Sequence, residues 1–134
     1  HLAAEFLVRL NPNKNRKAYP VISLAMDTST LTACGNDFDF KFIFSRNLEA
    51  LGTKKDLLIV LSTSGDSQNI IEVLKVAKKK KISSLSLLGF NGGKAKKYSD
   101  LNLIVDSNDV ARIQEAHLFL GHFILNQVEK KLIS

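Results

Sequence analysis

The chain has 134 residues, of which 45% are hydrophobic, and a formal net charge of +6. This length allows one domain with a hydrophobic core, and no apolar run is long enough to cross a membrane. Cys34 is the only cysteine, which excludes a disulfide framework and predicts a core position in a reducing, cytoplasmic compartment. Lysines cluster at residues 78–81 and 94–97 without interleaved aromatic side chains. This arrangement favours a solvated basic face over a nucleic-acid-binding surface.

Apolar periodicity predicts helices and strands in alternation. Helices are predicted at residues 1–10, 30–51, 67–80 and 111–132, and strands at residues 21–26, 57–61, 84–88 and 101–105. A break in the second helix is expected near Gly35 and Asn36, and residues 91–93 are expected to form a turn. Strands separated by helices favour a parallel sheet with right-handed crossovers, so the chain is predicted to be an α/β protein.

The last predicted helix is apolar around most of its circumference. Burial against a single sheet would leave part of this surface in water, so a second covering surface is expected. Another subunit would supply it, which favours a homo-oligomer. The apolar residues are Ile113, Leu118, Phe119, Leu120, Phe123, Ile124, Leu125, Val128 and Leu132.

Residues 62–67, here called the serine loop, join a predicted strand to a predicted helix. Such loops face the ligand in parallel α/β units, and the following helix offers unpaired N–H groups and the positive end of its dipole. Hydroxyl groups and the N–H groups around Gly65 would cradle a phosphate group there without a fixed charge. The hydroxyls belong to Ser62, Thr63, Ser64 and Ser67.

The serine loop contains no lysine, which argues against a nucleotide-binding P-loop and for a sugar phosphate or a similar monoester. The alternative is a turn rich in serine and glycine in which Ser67 or Asp66 caps the next helix. Spacing alone leaves both interpretations open.

Further polar residues lie on the first and last predicted helices. His1 and Glu5 are four residues apart, so they share a helical face and can reach one metal ion or one substrate. Gln114, His117 and His122 are polar residues among the apolar ones of the last helix. An ionisable ring at such a position needs a partner. Alternatively, His1 is a frayed end and His122 is a core histidine bonded to a backbone carbonyl.

These motifs together resemble the sugar isomerase (SIS) domain family and, within it, the phosphoheptose isomerases. The similarity runs through HLAAE (1–5), MDTST (26–30), GND (35–37), FSRNLEALG (44–52), LSTSGDSQNI (61–70), GGK (92–94) and RIQEAHLFLGH (112–122). It covers nearly the whole chain.

The resemblance implies one SIS domain over residues 1–134, with a flavodoxin-like three-layer sandwich and a parallel sheet flanked by helices. It implies that Glu5 is the base that moves a proton between carbons 1 and 2 of the sugar, and that His122 is the complementary acid and base. It also implies a zinc site and a substrate site. The zinc ligands would be His1, Glu5, Gln114 and His122, and the substrate-binding residues would be Asp27, Thr28, Ser62, Thr63, Ser64, Ser67 and Gln114.

Two departures from the family pattern are expected to matter. The family's first helix, first strand and glycine-rich turn precede the HLAAE position, so the domain is expected to be incomplete at its N-terminus. Ala111 stands where some members carry an aspartate, for which Asp109 is a possible replacement. Gln114 and His122 are also about 12 Å apart along an ideal helix. Sharing a metal would require leaning side chains, a distorted helix, or sites formed by different subunits.

The leading functional hypothesis is a cytoplasmic isomerase, a tetramer with intersubunit active sites, that converts sedoheptulose 7-phosphate to a manno-heptose 7-phosphate for lipopolysaccharide or another surface glycan. No nucleic-acid or membrane partner is expected. The alternatives are a non-catalytic SIS-domain binding protein of the replication-initiator-associating type and a sugar-phosphate sensor. Because the binding proteins need neither the glutamate nor the second histidine, Glu5 and His122 favour the enzyme.

Overall fold

The sheet consists of the three leucine-rich stretches between residues 57 and 105. A computed structural model describes residues 1–133 of the chain. The strands are β1 (Leu57–Ser62), β2 (Ser83–Gly89) and β3 (Leu101–Val105), all parallel and in the order β1-β2-β3. The three strands predicted in this part of the sequence are therefore confirmed to within one residue at each end.

Helices connect and flank these strands. They are α1 (Leu2–Leu7), α2 (Thr28–Asp37), α3 (Ser45–Leu51), α4 (Gln68–Lys80) and α5 (Val110–Ile133), with 3-10 turns at Phe40–Phe42 and Ala95–Lys97. The bounds of α4 and α5 agree with the prediction to within one residue. None of the described helices combines the length and apolar content needed to cross a membrane.

The sheet is packed on both faces because successive residues of a strand point to opposite sides. On one face, Leu74 and Ala77 of α4 are fully buried in a cluster that includes Leu88 of β2. On the other face, a Cβ atom added at Gly89 would lie 2.6 Å from Cδ1 of Ile113 of α5, which is also fully buried. Helices α4 and α5 therefore cover opposite faces of β2, as a three-layer α/β sandwich requires.

The strand predicted at residues 21–26 is not formed, so this prediction is wrong. A strand needs a neighbour for its hydrogen bonds, and no described strand pairs with this segment. The Met26 N–H instead donates to the Ser23 carbonyl in a turn, and the Leu24 carbonyl accepts from Nδ2 of Asn47 at 3.0 Å. Leu24 also packs against the core. Its apolar character reflects this side-chain contact and not a strand.

The predicted break at Gly35 and Asn36 is also misplaced, because both residues lie inside α2. The chain leaves the helix after Asp37, and the Asp39 carboxylate then accepts from the Lys41 N–H to start a 3-10 turn. The capping aspartate, not the glycine, marks the break. The first predicted helix is shorter than expected and ends at Leu7.

The serine loop is held against the turn at residues 91–93. The Ala95 N–H donates to the Gly65 carbonyl at 2.8 Å, and the Lys94 N–H donates to Oδ1 of Asp66 at 3.0 Å. Gly65 has a φ of 69°, and a Cβ atom there would overlap the carbonyl group of Gly92. The close approach of the two loops therefore requires glycine at position 65.

We expect Gly65→Ala to lower the free energy of unfolding by about 2 kcal/mol or more, because it adds left-handed strain and a backbone overlap. Gly35→Ala is the matched control, since Gly35 is helical and a Cβ atom there meets nothing within 4 Å. That substitution should raise stability by about 0.5–1 kcal/mol. Urea unfolding followed by circular dichroism measures both values, and similar effects at the two positions would contradict the described packing.

Candidate functional site

Two ends of the sequence meet where α1 crosses α5. Nε2 of His1 lies 3.0 Å from Nε2 of His122, and the same His1 atom lies 3.4 Å from Oε1 of Glu5. One ligand atom from each of the three residues lies within 4.8 Å of the others. The Glu5 side chain is about three-quarters buried, at 26% exposed, whereas the His1 ring is 60% exposed. A carboxylate and two imidazoles therefore converge at one half-open position, here called the histidine cluster.

The histidine cluster has the composition of a zinc site. Two nitrogen ligands and a carboxylate are a common protein set for this ion, with metal–ligand distances that place neighbouring ligand atoms about 3.3 Å apart in tetrahedral geometry. The separations of 3.0 and 3.4 Å in the cluster lie on either side of that value. The residues present therefore fit the metal that the sequence predicts.

Gln114 lies outside this cluster on the same helix. Helix α5 is uninterrupted from Val110 to Ile133, so no helix distortion brings Gln114 toward His122. A Cβ atom added at Gly89 would lie 2.5 Å from the Thr63 carbonyl oxygen and 2.6 Å from Cδ1 of Ile113, so the serine loop and the start of α5 are close together at this point. Gln114 therefore belongs to the end of α5 that approaches the serine loop, whereas the histidine cluster lies two turns further along.

The serine loop leaves the hydroxyl of Ser67 free of a capping role. Ser67 is the N-cap residue of α4 by position, but its side chain makes no capping hydrogen bond. The first turn of α4 is instead closed by its backbone carbonyl, which accepts from the N–H groups of Ile70 and Ile71. The alternative interpretation of Ser67 as a side-chain cap is therefore not supported.

Two other serines brace the loop from inside. Oγ of Ser62, at the buried end of β1, accepts from the Gly65 N–H at 3.1 Å, and Oγ of Ser64 accepts from the Asp66 N–H at 3.1 Å. Each hydroxyl keeps its own proton for donation to a further acceptor. Ser64 is only half-buried, whereas Ser62 is buried. Ser64 and Ser67 are thus more accessible to a ligand than Ser62.

Asp27 and Thr28 lie at the start of α2. The Asp27 carboxylate caps this helix by accepting from the N–H groups of Ser29 and Thr30 and from the Thr30 hydroxyl. The Thr30 side-chain hydrogen bond is the main cause that lowers the pKa of Asp27, and the two backbone donors add to it. Asp27 is therefore a carboxylate held in its charged form at a helix N-terminus, with a structural task of its own.

The sequence patterns missed one buried charged pair near the histidine cluster. Arg16, which lies between the helix predicted at residues 1–10 and the strand predicted at residues 21–26, forms an ion pair with Glu129 of α5, and both side chains are almost fully buried. A glutamate within a helix that is apolar on most sides is a signal for such a partner, because a buried carboxylate is costly alone. Cys34 is buried, as predicted for a core thiol.

Comparisons with known proteins identify the family of the chain. A family model described as the SIS domain matches residues 1–89. A phosphoheptose isomerase of Leptospira biflexa serovar Patoc is 45% identical over 132 residues, which are 98% of this chain and 68% of the relative. A phosphoheptose isomerase of Campylobacter concisus is 48% identical over 97% of this chain and 68% of its own length.

Solved structures give the same result for the fold. A phosphoheptose isomerase from Francisella tularensis has a TM-score of 0.88 at 33% identity and covers 94% of this chain and 66% of that one. A phosphoheptose isomerase from Neisseria gonorrhoeae also has a TM-score of 0.88, at 36% identity over 97% of this chain and 68% of that one. The chain thus spans about two thirds of the length of these relatives. By sequence and by fold, the chain belongs to the SIS-domain family and, within it, to the phosphoheptose isomerases.

Proposed function

We propose that this protein is a sugar-phosphate isomerase that interconverts sedoheptulose 7-phosphate and D-glycero-D-manno-heptose 7-phosphate through an enediol. The observation that carries the proposal is the convergence of His1, Glu5 and His122, residues from opposite ends of the chain whose ligand atoms lie within 4.8 Å of one another. Aldose–ketose conversion needs a base beside the reacting carbons and a proton carrier at the oxygens, and this cluster offers both.

Glu5 is the base of the proposed reaction. Its carboxylate removes a proton from carbon 1 of the ketose, and the electron pair forms the carbon–carbon double bond of the enediol. His122 moves a proton between the oxygens on carbons 1 and 2, and Glu5 then returns its proton to carbon 2. Because the Glu5 side chain is 26% exposed, an abstracted proton can exchange with water before it is returned to carbon 2.

Zinc belongs to the proposal as a cofactor of this site. His1, Glu5 and His122 would hold the ion, with Gln114 of another subunit as a further ligand. When bound, the ion would polarise the carbonyl oxygen of the sugar. Because its ligands come from both helices, the ion would also join α1 to α5 and so stabilise their contact.

The serine loop is proposed to bind the remote phosphate group. Donors from Thr63, Ser64, Ser67 and the start of α4 would surround it, with Ser62 bracing them. Asp27 and Thr28 are proposed to contact the sugar from the start of α2. Binding energy at the phosphate then fixes the position of the reacting carbons.

Within one chain, the histidine cluster and the serine loop lie at different positions along α5. We propose that different subunits of a homotetramer bring them together in one active site. Supporting this, α5 presents a long exposed apolar surface on which the rings of Phe119 and Phe123 lie 6.3 Å apart and nearly parallel. Exposed Leu118, Val128 and Leu132 extend it. A patch of this kind is typical of a protein–protein interface.

The proposal includes a cytoplasmic location, one SIS domain over residues 1–134, and a product that enters lipopolysaccharide or another surface glycan. The non-catalytic binding proteins of the same fold need neither a glutamate at the position of Glu5 nor a histidine at that of His122. No described feature favours either that binding function or a sensor function over the isomerase.

Replacing Ser67 by alanine should weaken sugar-phosphate binding by about 1–3 kcal/mol, because a phosphate oxygen would lose a donor. Ser83→Ala, at an exposed position at the opposite end of the strands, is the control. Competition by inorganic phosphate measured by calorimetry reports on the same contact. Unchanged phosphate affinity in Ser67→Ala would leave the loop without its proposed role.

Phe123→Lys should dissociate the assembly and abolish activity together, because a charge would be placed in the centre of the apolar surface of α5. Phe119→Lys, one turn earlier and not adjacent to His122, should do the same. Light scattering gives the oligomeric state. A monomeric variant with full activity would rule out the intersubunit site.

Glu5→Gln keeps the shape of the side chain but removes its basicity, so turnover should fall at least about a hundredfold while substrate affinity is largely kept. The measurement is deuterium uptake from heavy water into carbon-bound positions of sedoheptulose 7-phosphate, catalysed by the full-length gene product. Zinc content is measured in parallel, because Glu5 is also a proposed ligand.

Glu49→Gln is the matched control for that experiment, since Glu49 is exposed on α3. Loss of exchange in a zinc-replete Glu5→Gln protein supports the base assignment. Absence of exchange in the parent protein would favour the binding-protein function.

A further inference from the structure

Arg16 is the most heavily bonded side chain near the histidine cluster. Its side chain is 2% exposed, and its Nε donates to Oε1 of Glu129 at 2.5 Å. Nη2 donates to the carbonyls of Glu5 and Phe6 at 3.2 and 2.9 Å, and Nη1 donates to the Lys17 carbonyl at 2.9 Å. One guanidinium therefore joins α5 to the carboxyl end of the helix that carries the proposed base.

Aromatic rings hold the guanidinium in this orientation. Its central carbon lies 4.4 Å from the ring centre of Tyr19 and 5.7 Å from that of Phe6. The two rings also contact each other, with centres 5.1 Å apart. Stacking on such rings suits the flat, delocalised guanidinium and not a lysine ammonium.

Helix α1 needs the contacts of Arg16 because it has little stability of its own. It is six residues long, well below the length at which a helix is stable alone, and none of its residues is fully buried. At its amino end Leu2 packs directly on Gly121, where a Cβ atom would lie 2.5 Å from Cδ1 of Leu2. At its carboxyl end the connection to α5 runs through Arg16 and Glu129.

We propose that Arg16 and Glu129 form a positioning pair that sets Glu5 at its working distance from His122. The Leu2–Gly121 contact and the Arg16–Glu129 pair hold α1 at its two ends, and Glu5 lies between them. Neither Arg16 nor Glu129 touches the reacting atoms. The inference rests on the proposed isomerase function and assigns these two residues to orientation of its base.

Stability alone is a poor explanation of the pair. Desolvation of two buried charges largely cancels their attraction, and apolar residues of similar volume often serve stability equally well. Orientation is different, because the guanidinium reaches three backbone carbonyls and a carboxylate in one fixed geometry. A displacement of α1 by about 1 Å is enough to lower a rate of catalysis by up to a hundredfold.

Two variants of the full-length protein test this assignment. Arg16→Lys keeps the charge but cannot bond all four acceptors, and Arg16→Met with Glu129→Met replaces the pair by apolar side chains. Arg46→Lys is the matched control, because Arg46 is exposed and also stacks on an aromatic ring, that of Phe38. The readouts are kcat and KM for sedoheptulose 7-phosphate, Zn²⁺ affinity by chelator competition, and the melting temperature.

We expect kcat to fall about 10- to 100-fold in both variants, with KM within about threefold of the parent value and Zn²⁺ affinity about tenfold weaker or more. The Met/Met protein should keep a melting temperature close to that of the parent and still have the low kcat. Parent-like kcat in a folded Met/Met protein would overturn the proposal, as would a rise in KM alone.

If the Met/Met protein fails to fold, Arg16→Lys decides by the same split between kcat and KM. If the parent shows no proton exchange, the proposed isomerase function is wrong. The positioning pair is then tested by Zn²⁺ affinity alone, and an affinity equal to that of the parent in both variants would overturn it. A parent that neither exchanges protons nor binds Zn²⁺ would overturn both assignments.

Discussion

The chemistry proposed for this chain depends on one contact, the crossing of α1 over α5. Glu5 lies on a helix of only six residues with no fully buried side chain, and His1 directly precedes it, so the helix cannot fix their position by itself. Their partner His122 is more than a hundred residues away in the sequence. A site assembled in this way exists only in the folded protein, because nothing local in the sequence brings its parts together.

The length of α5 imposes a second constraint. The helix is uninterrupted, so Gln114 and His122 lie about 12 Å apart along its axis. The serine loop approaches the end that carries Gln114. A substrate with a phosphate at one end and a reacting carbonyl at the other needs both regions at a distance set by its own length. The exposed apolar surface of α5 suits the proposed homotetramer, in which pairing with a neighbouring helix would bring one subunit's histidine cluster toward another's serine loop.

Much of the fold could be predicted from the sequence, since strands β1 to β3 and helices α4 and α5 carry strong apolar periodicity. The exceptions have local causes. Residues 21–26 read as a strand because Leu24 is apolar, yet the segment has no strand beside it among the described residues. Helix α2 ends at Asp37, just before the capping Asp39, and not at Gly35. For the candidate site, the residue types and the family pattern predicted His1, Glu5, His122 and the serine loop, and the structure brings the first three together.

Arg16 could not be found in the same way. Its polar neighbours in the sequence indicate an exposed loop, and its burial results from Tyr19, Phe6 and Glu129, of which the last lies on α5. Periodicity describes one segment at a time, whereas a buried arginine is defined by partners from several segments. Glu129 was the better clue, because a carboxylate on an apolar helix must find a cation or remain exposed.

The serine loop poses an electrostatic problem that its neighbours solve. Asp66 places a carboxylate where a phosphate anion is proposed to bind, and like charges at short range oppose binding. Its Oδ1 is engaged by the Lys94 N–H, which directs that oxygen toward the adjoining turn. Attraction for phosphate is then left to the dipole of α4 and to hydroxyl and backbone donors, all of which act at short range. In the proposed site, such a loop would select a small phosphate monoester by shape and hydrogen bonds, and the surface lysines would add only a weak, salt-dependent attraction.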